Sequence, residues 1–292
     1  MLKEETGIVL IAIGHPYYGR MAYNLAMSIK AVERYAHITL VYTESAIAHI
    51  NQRNMHVFDN KFEVSDTSQP FGAKLLLDQF TPYERTIYID ADTLWINKYG
   101  PTELFNKLKG IPFTGITEGF YDYDNPAKSD VSKIYPTWAD LDEIKQAYGC
   151  SGKIYQWRSE FIYFEKNETA QKLFARMREV YGLAHLLSTV KKFADHIPDE
   201  LAINIATNEL NVSPHQYKWQ PTYWDRLHGG NMADIGDLQT NYYAISCGSN
   251  GGSGALKRVY DRVCAASAAR LRLQHVFPLV NKKEMMTNRQ LM

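Results

Sequence analysis

The stretch "RTIYIDADTLWI" (residues 85–96) decides the fold, because an apolar run leads directly into two aspartates. Residues 85–89 are mostly β-branched or aromatic, which predicts a buried strand. Asp90 and Asp92 follow, separated by the small Ala91. A carboxylate beside a core strand is costly unless something compensates it, and a bound cation is the usual compensation. The stretch therefore predicts a strand that ends at a functional edge.

Strands and helices alternate on both sides of this stretch. Residues 7–13 ("GIVLIAI") form a continuous apolar run, typical of a strand buried on both faces. Apolar residues at helical spacing cover 20–34, and 38–42 ("ITLVY") is the next strand. This is a βαβ unit with a right-handed crossover. The other predicted elements are helices at 71–80, 139–149, 169–193, 198–210 and 255–273, and strands at 111–116, 160–164 and 241–246.

The pattern predicts an α/β, Rossmann-like fold, with a mixed, mainly parallel sheet flanked by helices. With 292 residues and 45% hydrophobic residues, we expect one large domain over 1–250 and a helical C-terminal extension over 251–292. Residues 119–157 are polar, aromatic and rich in turn residues, which predicts a long loop.

Charge and cysteine content narrow the function. Lys+Arg and Asp+Glu both number 32, and the lack of a basic excess argues against a nucleic-acid partner. The apolar run near the N-terminus is too short to span a bilayer, so we expect no transmembrane segment. The three cysteines lack CxxC spacing, which predicts reduced thiols and a cytoplasmic protein.

Three Asp-x-Asp pairs occur, at 90–92, 122–124 and 140–142. Only the first leaves the C-terminal end of a buried strand, the edge at which ligands bind in open parallel sheets. Because side chains two apart on a strand share a face, Asp90 and Asp92 are predicted to present two oxygens to one Mn²⁺ or Mg²⁺. The alternative is a surface turn in which both acids face water or bond backbone N–H groups.

Two further features support a phosphate-bearing ligand. Lys74 lies on the preceding helix, from which it could reach a diphosphate at the same edge. Gly14 follows the first strand and lets a ligand approach the backbone, and Tyr17 could stack on a base. The alternatives are a solvated lysine and an ordinary βα turn.

Together, the βαβ start, "AKLLLDQF" (73–80) and "RTIYIDADTLW" (85–95) resemble the GT-A glycosyltransferases, in particular the glycogenin-like and lipopolysaccharide-galactosyltransferase group, over residues 7–118. The resemblance implies a GT-A fold in which Asp90 and Asp92 chelate Mn²⁺ on a nucleotide-diphosphate sugar, with Asp90 also touching the ribose. It also implies that Lys74 lies by the ribose and phosphates. The implied lining of the nucleotide pocket is Ala12, Gly14 and Tyr17.

Beyond residue 118 the sequence departs from the family pattern. Residues 158–164 take the place of an asparagine-small-glycine strand, with Glu160 for the glycine. Of an Asp-Gln pair at a helix start, only Asp199 is retained, and Glu200 follows it. Asp199 and Glu160 are the candidate catalytic residues, to position the acceptor or stabilise an oxocarbenium-like centre. For Asp199 the alternative is a helix N-cap.

The family's third metal ligand is a late histidine in H-x-x-G-x-x-K-P-W, which no segment here matches. His275, with Lys282 seven residues later, is the candidate, and His228 is its competitor. If neither serves, water takes the third position. The aromatic loop 119–157 is the candidate acceptor lid, and its alternative is a poorly ordered insertion.

The predicted function is transfer of a sugar from a nucleotide-sugar donor, UDP-linked by resemblance, to the hydroxyl of a carbohydrate or other acceptor. Retention of configuration is implied by the resemblance alone. One rival is a haloacid-dehalogenase-like phosphatase, whose D-x-D-T normally ends the first strand of its fold. A nucleotidyltransferase would need a glycine-rich N-terminal loop, which the sequence lacks. A non-catalytic carbohydrate-binding protein on a decayed transferase fold is the third alternative.

Overall fold

The computed structural model describes residues 4–65, 70–130, 138–192, 196–217, 220–223, 235–247, 254–273 and 277. Its strands are β1 (Thr6–Ala12), β2 (Ile38–Tyr42), β3 (Asn60–Glu63), β4 (Arg85–Ile89), β5 (Thr93–Trp95), β6 (Phe113–Asp122), β7 (Lys153–Glu165), β8 (Gln220–Tyr223) and β9 (Tyr242–Ser246). A six-stranded sheet has the order β3-β2-β1-β4-β7-β6, and a three-stranded sheet has the order β5-β9-β8. The fold is mixed α/β with a central, mostly parallel sheet flanked by helices, as predicted.

The α-helices are α1 (Pro16–Val32), α2 (Glu44–Ile47), α3 (Pro70–Lys74), α4 (Leu77–Phe80), α5 (Pro101–Leu108), α6 (Leu141–Tyr148), α7 (Glu168–Leu183), α8 (Asp199–Glu209), α9 (Ile235–Asn241) and α10 (Gly254–Leu271). Short 3-10 helices cover Gln52–Val57, Pro126–Lys128 and Ala184–Leu186. No helix in the described residues is long and apolar enough to cross a membrane.

The chain divides into two compact units. The central unit comprises residues 69–88 and 110–216, and the terminal unit comprises 4–68, 89–109 and 217–292. The predicted division at residue 250 stays a prediction. The helix expected in the C-terminal extension is present as α10.

The terminal unit contains the predicted βαβ start. β1 and β2 pair in parallel, with Ile8 opposite Ile38 and Ala12 opposite Tyr42, and β3 pairs in parallel with β2. Burial of β1 on both faces explains its unbroken apolar sequence. Helix α1 packs closely against α2 at Gly19, where a Cβ atom would lie 2.1 Å from the Ala46 carbonyl oxygen. Only glycine fits at this approach.

The central unit is built on the antiparallel pair β6–β7. Its register shifts between Gly115, opposite Ile162, and Ile116, opposite Arg158, so residues 159–161 bulge out of the ladder. A Cβ at Gly115 would lie 2.9 Å from the Phe161 carbonyl oxygen, so glycine is required opposite the bulge.

The helices predicted over 169–193 end earlier, at Leu186, and two other predicted elements differ more strongly from the structure. The single helix at 71–80 is wrong: α3 and α4 are separate, and the chain breaks between them. Arg178 Nη1 donates to the Leu75 carbonyl at 2.9 Å and to Asp78 Oδ1 at 2.7 Å, so a tertiary contact takes the carbonyl at the break. The loop 119–157 is shorter than predicted, because its ends extend β6 and β7. Phe120 pairs there with Tyr155, and residues 131–137 lie outside the described ranges.

Candidate functional site

The first Asp-x-Asp pair lies in the terminal unit, directly after β4. Asp90 follows the last residue of β4, Ala91 and Asp92 form a turn, and the Thr93 amide donates to the Asp90 carbonyl at 3.1 Å before β5 begins. Both acids are half-buried and Ala91 is buried. Strand alternation, the predicted reason for a common direction of the two side chains, is therefore wrong, because Asp92 lies in a turn and not on the strand.

Asp92 has two close neighbours in this unit. Its carbonyl accepts from the Cys247 amide at 2.7 Å, which ties the turn to the residue after β9. Burial, and then the charge of Asp92, raise the pKa of the Tyr17 phenol. The same two causes raise the pKa of Cys247. The structure thus brings two of the predicted site residues, Tyr17 and Asp92, together.

The end of β1 supplies the other predicted nucleotide-pocket residues. Ala12 is fully buried. Gly14 adopts φ +84°, a conformation that favours glycine, and its amide donates to Thr43 Oγ1 at 3.0 Å. The next residue, His15, caps α1 by accepting a hydrogen bond from the Tyr17 amide. These contacts fix the turn, and the ligand-binding role of these residues stays a prediction.

The other two Asp-x-Asp pairs have local structural roles. Asp122 accepts from the amides of Asp124 and Asn125, both at 3.0 Å. Asp140 is the N-cap of α6 and accepts from the amides of the first turn. Such bonds explain an aspartate at each position without a ligand.

In the central unit, Lys74 and Asp199 form a buried ion pair. Lys74 Nζ lies 3.7 Å from Asp199 Oδ2 and donates to Ser159 Oγ at 2.9 Å. It also lies 5.6 Å from the centre of the Tyr88 ring. Asp199 is only 2% exposed and is the first residue of α8, with Pro198 as the N-cap. The N-cap alternative for Asp199 is therefore wrong.

Arg158 is the centre of an acidic cluster in the same unit. Its guanidinium bonds Glu118 Oε1, lies 3.0 Å from Glu160 Oε2, and lies 3.7 Å from Glu200 Oε1. Burial alone would lower the pKa of Arg158, but Glu160, Glu200 and Glu118 outweigh it and the pKa is raised. Arg158 thus stays charged and holds the predicted Glu160 in a fixed position.

Glu200, another acid of this cluster, has a pKa raised close to neutrality. Burial and the neighbouring Asp199 raise its pKa to about 7, against the opposing effects of Arg158, Trp138 and Lys74. Trp138 Nε1 donates to Glu200 Oε2 at 2.7 Å. A buried carboxyl that exchanges a proton near pH 7 is a group suited to acid–base chemistry.

The sequence predicts Lys74, Asp199 and Glu160 as site residues and Trp138 as part of the aromatic acceptor loop, but it assigns no role to Arg158 or Glu118. Arg158 lies just before the predicted strand 160–164, so no predicted element places it beside Glu160. No sequence signal identifies the partners Glu118 and Trp138, which are 40 and 62 residues away from the groups they bond.

The described residues fit a divalent cation only in part. Asp90 and Asp92 supply carboxylate oxygens, the ligand type that Mn²⁺ and Mg²⁺ prefer. No group of three or more His, Cys, Asp or Glu side chains that could hold a metal occurs within the described ranges. The predicted third ligand His275 and its competitor His228 both lie outside them.

Comparisons with known proteins bear on the fold. No family model matches the sequence, and no curated protein matches it. Among solved structures, the apo form of the bifunctional glycosyltransferase WbbM matches with a TM-score of 0.57 and 14% identity, covering 99% of this chain and 52% of that one. This chain thus spans about half the length of that protein. The chain resembles glycosyltransferases in its fold.

Two further structures support the same conclusion. The galactosyltransferase LgtC, in complex with donor and acceptor sugar analogues, matches with a TM-score of 0.56 and 13% identity, covering 96% of this chain and 99% of that one. The apo form of the glycosyltransferase GlyE of Streptococcus pneumoniae matches with a TM-score of 0.54 and 10% identity, covering 92% of this chain and 62% of that one. These likenesses confirm the predicted GT-A fold. At such low sequence identities they are evidence for the fold only.

Proposed function

We propose that this protein is a metal-dependent glycosyltransferase that moves a sugar from a nucleotide-diphosphate sugar, UDP-linked, to an acceptor hydroxyl with retention of configuration. The observation that carries the proposal is the position of Asp90 and Asp92, half-buried in the turn after the central strand β4, in a GT-A-like fold. Ligands in such sheets bind beyond the carboxyl ends of the strands. A carbohydrate or other hydroxyl compound is the proposed acceptor.

In this proposal, Asp90 and Asp92 hold Mn²⁺ or Mg²⁺, with His275 or water as a third ligand. A bound divalent ion supplies charge stabilisation for the departing diphosphate. Ala12, Gly14 and Tyr17 line the nucleotide pocket, and Asp90 also contacts the ribose. Each role is taken from the family resemblance and matches the residue's place in the chain.

The central unit supplies the proposed catalytic groups. Lys74 is a buried cation, suited to stabilise negative charge that grows on a leaving diphosphate. Asp199 and Glu160 are proposed to position the acceptor or to stabilise a cationic sugar centre. The buried contacts of Asp199 with Lys74 and of Glu160 with Arg158 support these roles, since they keep both carboxylates in fixed geometry.

The structure weakens the phosphatase alternative. In that class the aspartate motif ends the first strand, whereas here β1, α1 and β2 precede it. A non-catalytic protein with the same fold remains the second candidate, favoured by the departures from the family pattern at Glu160 and Glu200. The proposed cytoplasmic location rests on the three cysteines alone.

The test is a thermal-shift screen of nucleotide-sugars with and without Mn²⁺, followed by product analysis. We expect a UDP-sugar to stabilise the protein only with Mn²⁺, and Asp92→Ala to abolish the shift. Asp124→Ala is the matched control, because it removes an exposed acid from another Asp-x-Asp pair. A shift without hydrolysis or transfer from any nucleotide-sugar supports the non-catalytic alternative. A shift that survives Asp92→Ala contradicts the proposed metal site.

A further inference from the structure

A cavity of about 730 Å³ lies in the terminal unit, at the C-terminal ends of α1 and α10. Its volume falls within the range of small-molecule sites. Among the described residues that line it, five are basic and none is acidic: Lys30, Arg34, His56, Arg270 and Arg272. Such a lining selects for an anion.

The cavity is separate from the proposed nucleotide site. Gly14 and Tyr17 lie at the start of α1, whereas Lys30 and Arg34 lie at its end. A helix rises 1.5 Å per residue, so the two places are roughly 20–25 Å apart along α1. The function proposed above therefore leaves this cavity unexplained.

The three arginines of the lining carry charges that form no ion pair with a residue in the described ranges. Lys30 is paired with Asp59 at 2.8 Å, whereas Arg34, Arg270 and Arg272 make no ion pair within the described part of the chain. Basic residues are common at helix C-termini, where they offset the helix dipole. Two helix ends carry a charge of about −1 together, against about +3 on the arginines. The excess of about +2 matches one doubly charged phosphate group.

The backbone at Arg272 gives a second, independent observation. Arg272 adopts φ +57°, and the Leu273 amide bonds the Ala268 carbonyl at 2.9 Å, which closes the end of α10. Glycine or asparagine usually occupies this left-handed position. An arginine there, in an uncommon conformation and on the cavity wall, is the kind of outlier that marks a functional position.

A neighbouring cavity of about 420 Å³ extends the basic surface. It shares Ala31, Val32 and Arg270 with the first cavity and adds two more cations, Lys98 and Arg262, and the described part of its lining contains no acid. Arg270 thus lies on the wall between a larger and a smaller space.

We propose that the cavity at the ends of α1 and α10 binds a phosphate-monoester group, held by Arg34, Arg270 and Arg272. Guanidinium groups suit this role because their paired N–H donors match phosphate oxygens. The phosphate can come from a free small molecule or from a lipid headgroup. The proposal is independent of sugar transfer.

The test is equilibrium dialysis with inorganic phosphate at constant ionic strength, in EDTA, which removes the divalent ion that the proposed nucleotide site requires. We expect saturable binding that is weakened at least tenfold by the double substitution Arg34→Gln, Arg272→Gln. Arg258→Gln is the matched control, because Arg258 is an exposed arginine of α10 outside the cavity lining, without an ion pair to the described residues. We expect it to bind within twofold of the wild type.

A second arm distinguishes the source of the phosphate by co-sedimentation with vesicles of phosphatidylcholine, with or without phosphatidic acid. Binding to phosphatidic acid alone, lost in the double variant and kept in Arg258→Gln, assigns the site to a lipid headgroup. Binding of inorganic phosphate with the same pattern assigns it to a free ligand. If the double variant fails to fold, the single variant Arg270→Gln, which changes an exposed residue, is compared with the same control. The proposal is overturned if neither inorganic phosphate nor phosphatidic acid binds. It is also overturned if Arg258→Gln loses as much binding affinity as the cavity variants.

Discussion

Trp138 donates a hydrogen bond from Nε1 to Glu200 Oε2 at 2.7 Å, and Arg158 Nε lies 3.7 Å from Glu200 Oε1. Despite these donors, burial and the adjacent Asp199 raise the pKa of Glu200 to about 7. The folded protein therefore binds a proton at Glu200 over a pH range in which the unfolded chain does not.

This raised pKa predicts how stability changes with pH. The folded pKa lies above the unfolded value of 4.5, so the folded state gains stability from the proton at low pH and loses it as pH rises through about 7. We expect the free energy of unfolding to fall by about 3 kcal/mol through this group between pH 4 and 8. Glu200→Gln should remove that fall, measured by urea denaturation across the range.

The control for the pH experiment is Glu143→Gln. Bonds from Thr189 and Ser188 lower the pKa of Glu143 to about 2. Its contribution is present above the unfolded pKa and disappears only as pH falls toward 2. Glu143→Gln should therefore leave unchanged the slope of the unfolding free energy against pH between pH 5 and 8. Equal slopes for Glu200→Gln and the wild type would show that Glu200 is ionised throughout.

The Lys74–Asp199 pair predicts a large stability effect. Lys74→Met leaves Asp199 as a charge in a buried site, because Asp199 is only 2% exposed. Breaking a buried pair from one side costs about 3–5 kcal/mol. Lys74→Met with Asp199→Asn should recover much of the loss, since neither residue then carries a charge. Urea denaturation at pH 7 measures all the variants.

Lys257→Met is the matched control for this prediction. Lys257 pairs with Asp261 at 2.6 Å on α10, but both side chains are about half exposed. Pairs of this kind contribute about 0.3–0.5 kcal/mol. A similar loss in Lys257→Met and Lys74→Met would contradict the view that burial sets the strength of the central pair.

Ser28 supports the strand that follows the Asp-x-Asp turn. Its hydroxyl accepts from the Trp95 amide at 3.0 Å and donates to the Leu25 carbonyl at 2.7 Å. Ser28→Ala leaves the Trp95 amide without this acceptor, at a cost of about 1–3 kcal/mol. Ser267→Ala, at a buried serine of α10 with no hydrogen bond to the described residues, should change stability much less. Chemical denaturation compares the two, and equal losses would contradict the role of Ser28.

The sequence predicts the βαβ start and the position of β4 because local patterns decide them. Continuous apolar runs identify β1, β2 and β4, and parallel pairing of β1 with β2 requires a crossover connection, which contains α1. The helix break between α3 and α4 coincides with a hydrogen bond from Arg178 to the Leu75 carbonyl, 103 residues away in sequence. The spacing of apolar residues within 71–80 carries no information about such a distant partner.

For the candidate site, too, the sequence predicts individual residues but not their long-range contacts. The family resemblance predicts Lys74 and Asp199 as site residues and aligns Glu160 with a glycine of the family, but it does not predict the residues that these side chains contact. The bulge at residues 159–161 sets which β7 side chains meet the acids, and it depends on a register shift against β6 that strand propensity does not encode. The direction of Asp90 and Asp92 likewise depends on a turn rather than on strand alternation.

The last prediction concerns Cys150, Cys247 and Cys264, which are buried and not in disulfides. Burial is the main cause that raises the pKa of each thiol, to about 12 for Cys150 and Cys264 and well above the ordinary value for Cys247. Because the thiolate is the reactive form, native protein at pH 8 should resist a thiol-specific reagent such as a disulfide dye. Unfolding in guanidinium should expose all three.

The exposed Ser151 offers an internal control beside one of these thiols. Ser151→Cys should add one fast-reacting thiol to the native protein, because Ser151 is exposed whereas Cys150 is 2% exposed. The number of thiols that react in guanidinium should then rise from three to four. A fast phase in native wild-type protein would show that one cysteine reaches solvent by local opening, and single Cys→Ser variants would identify which.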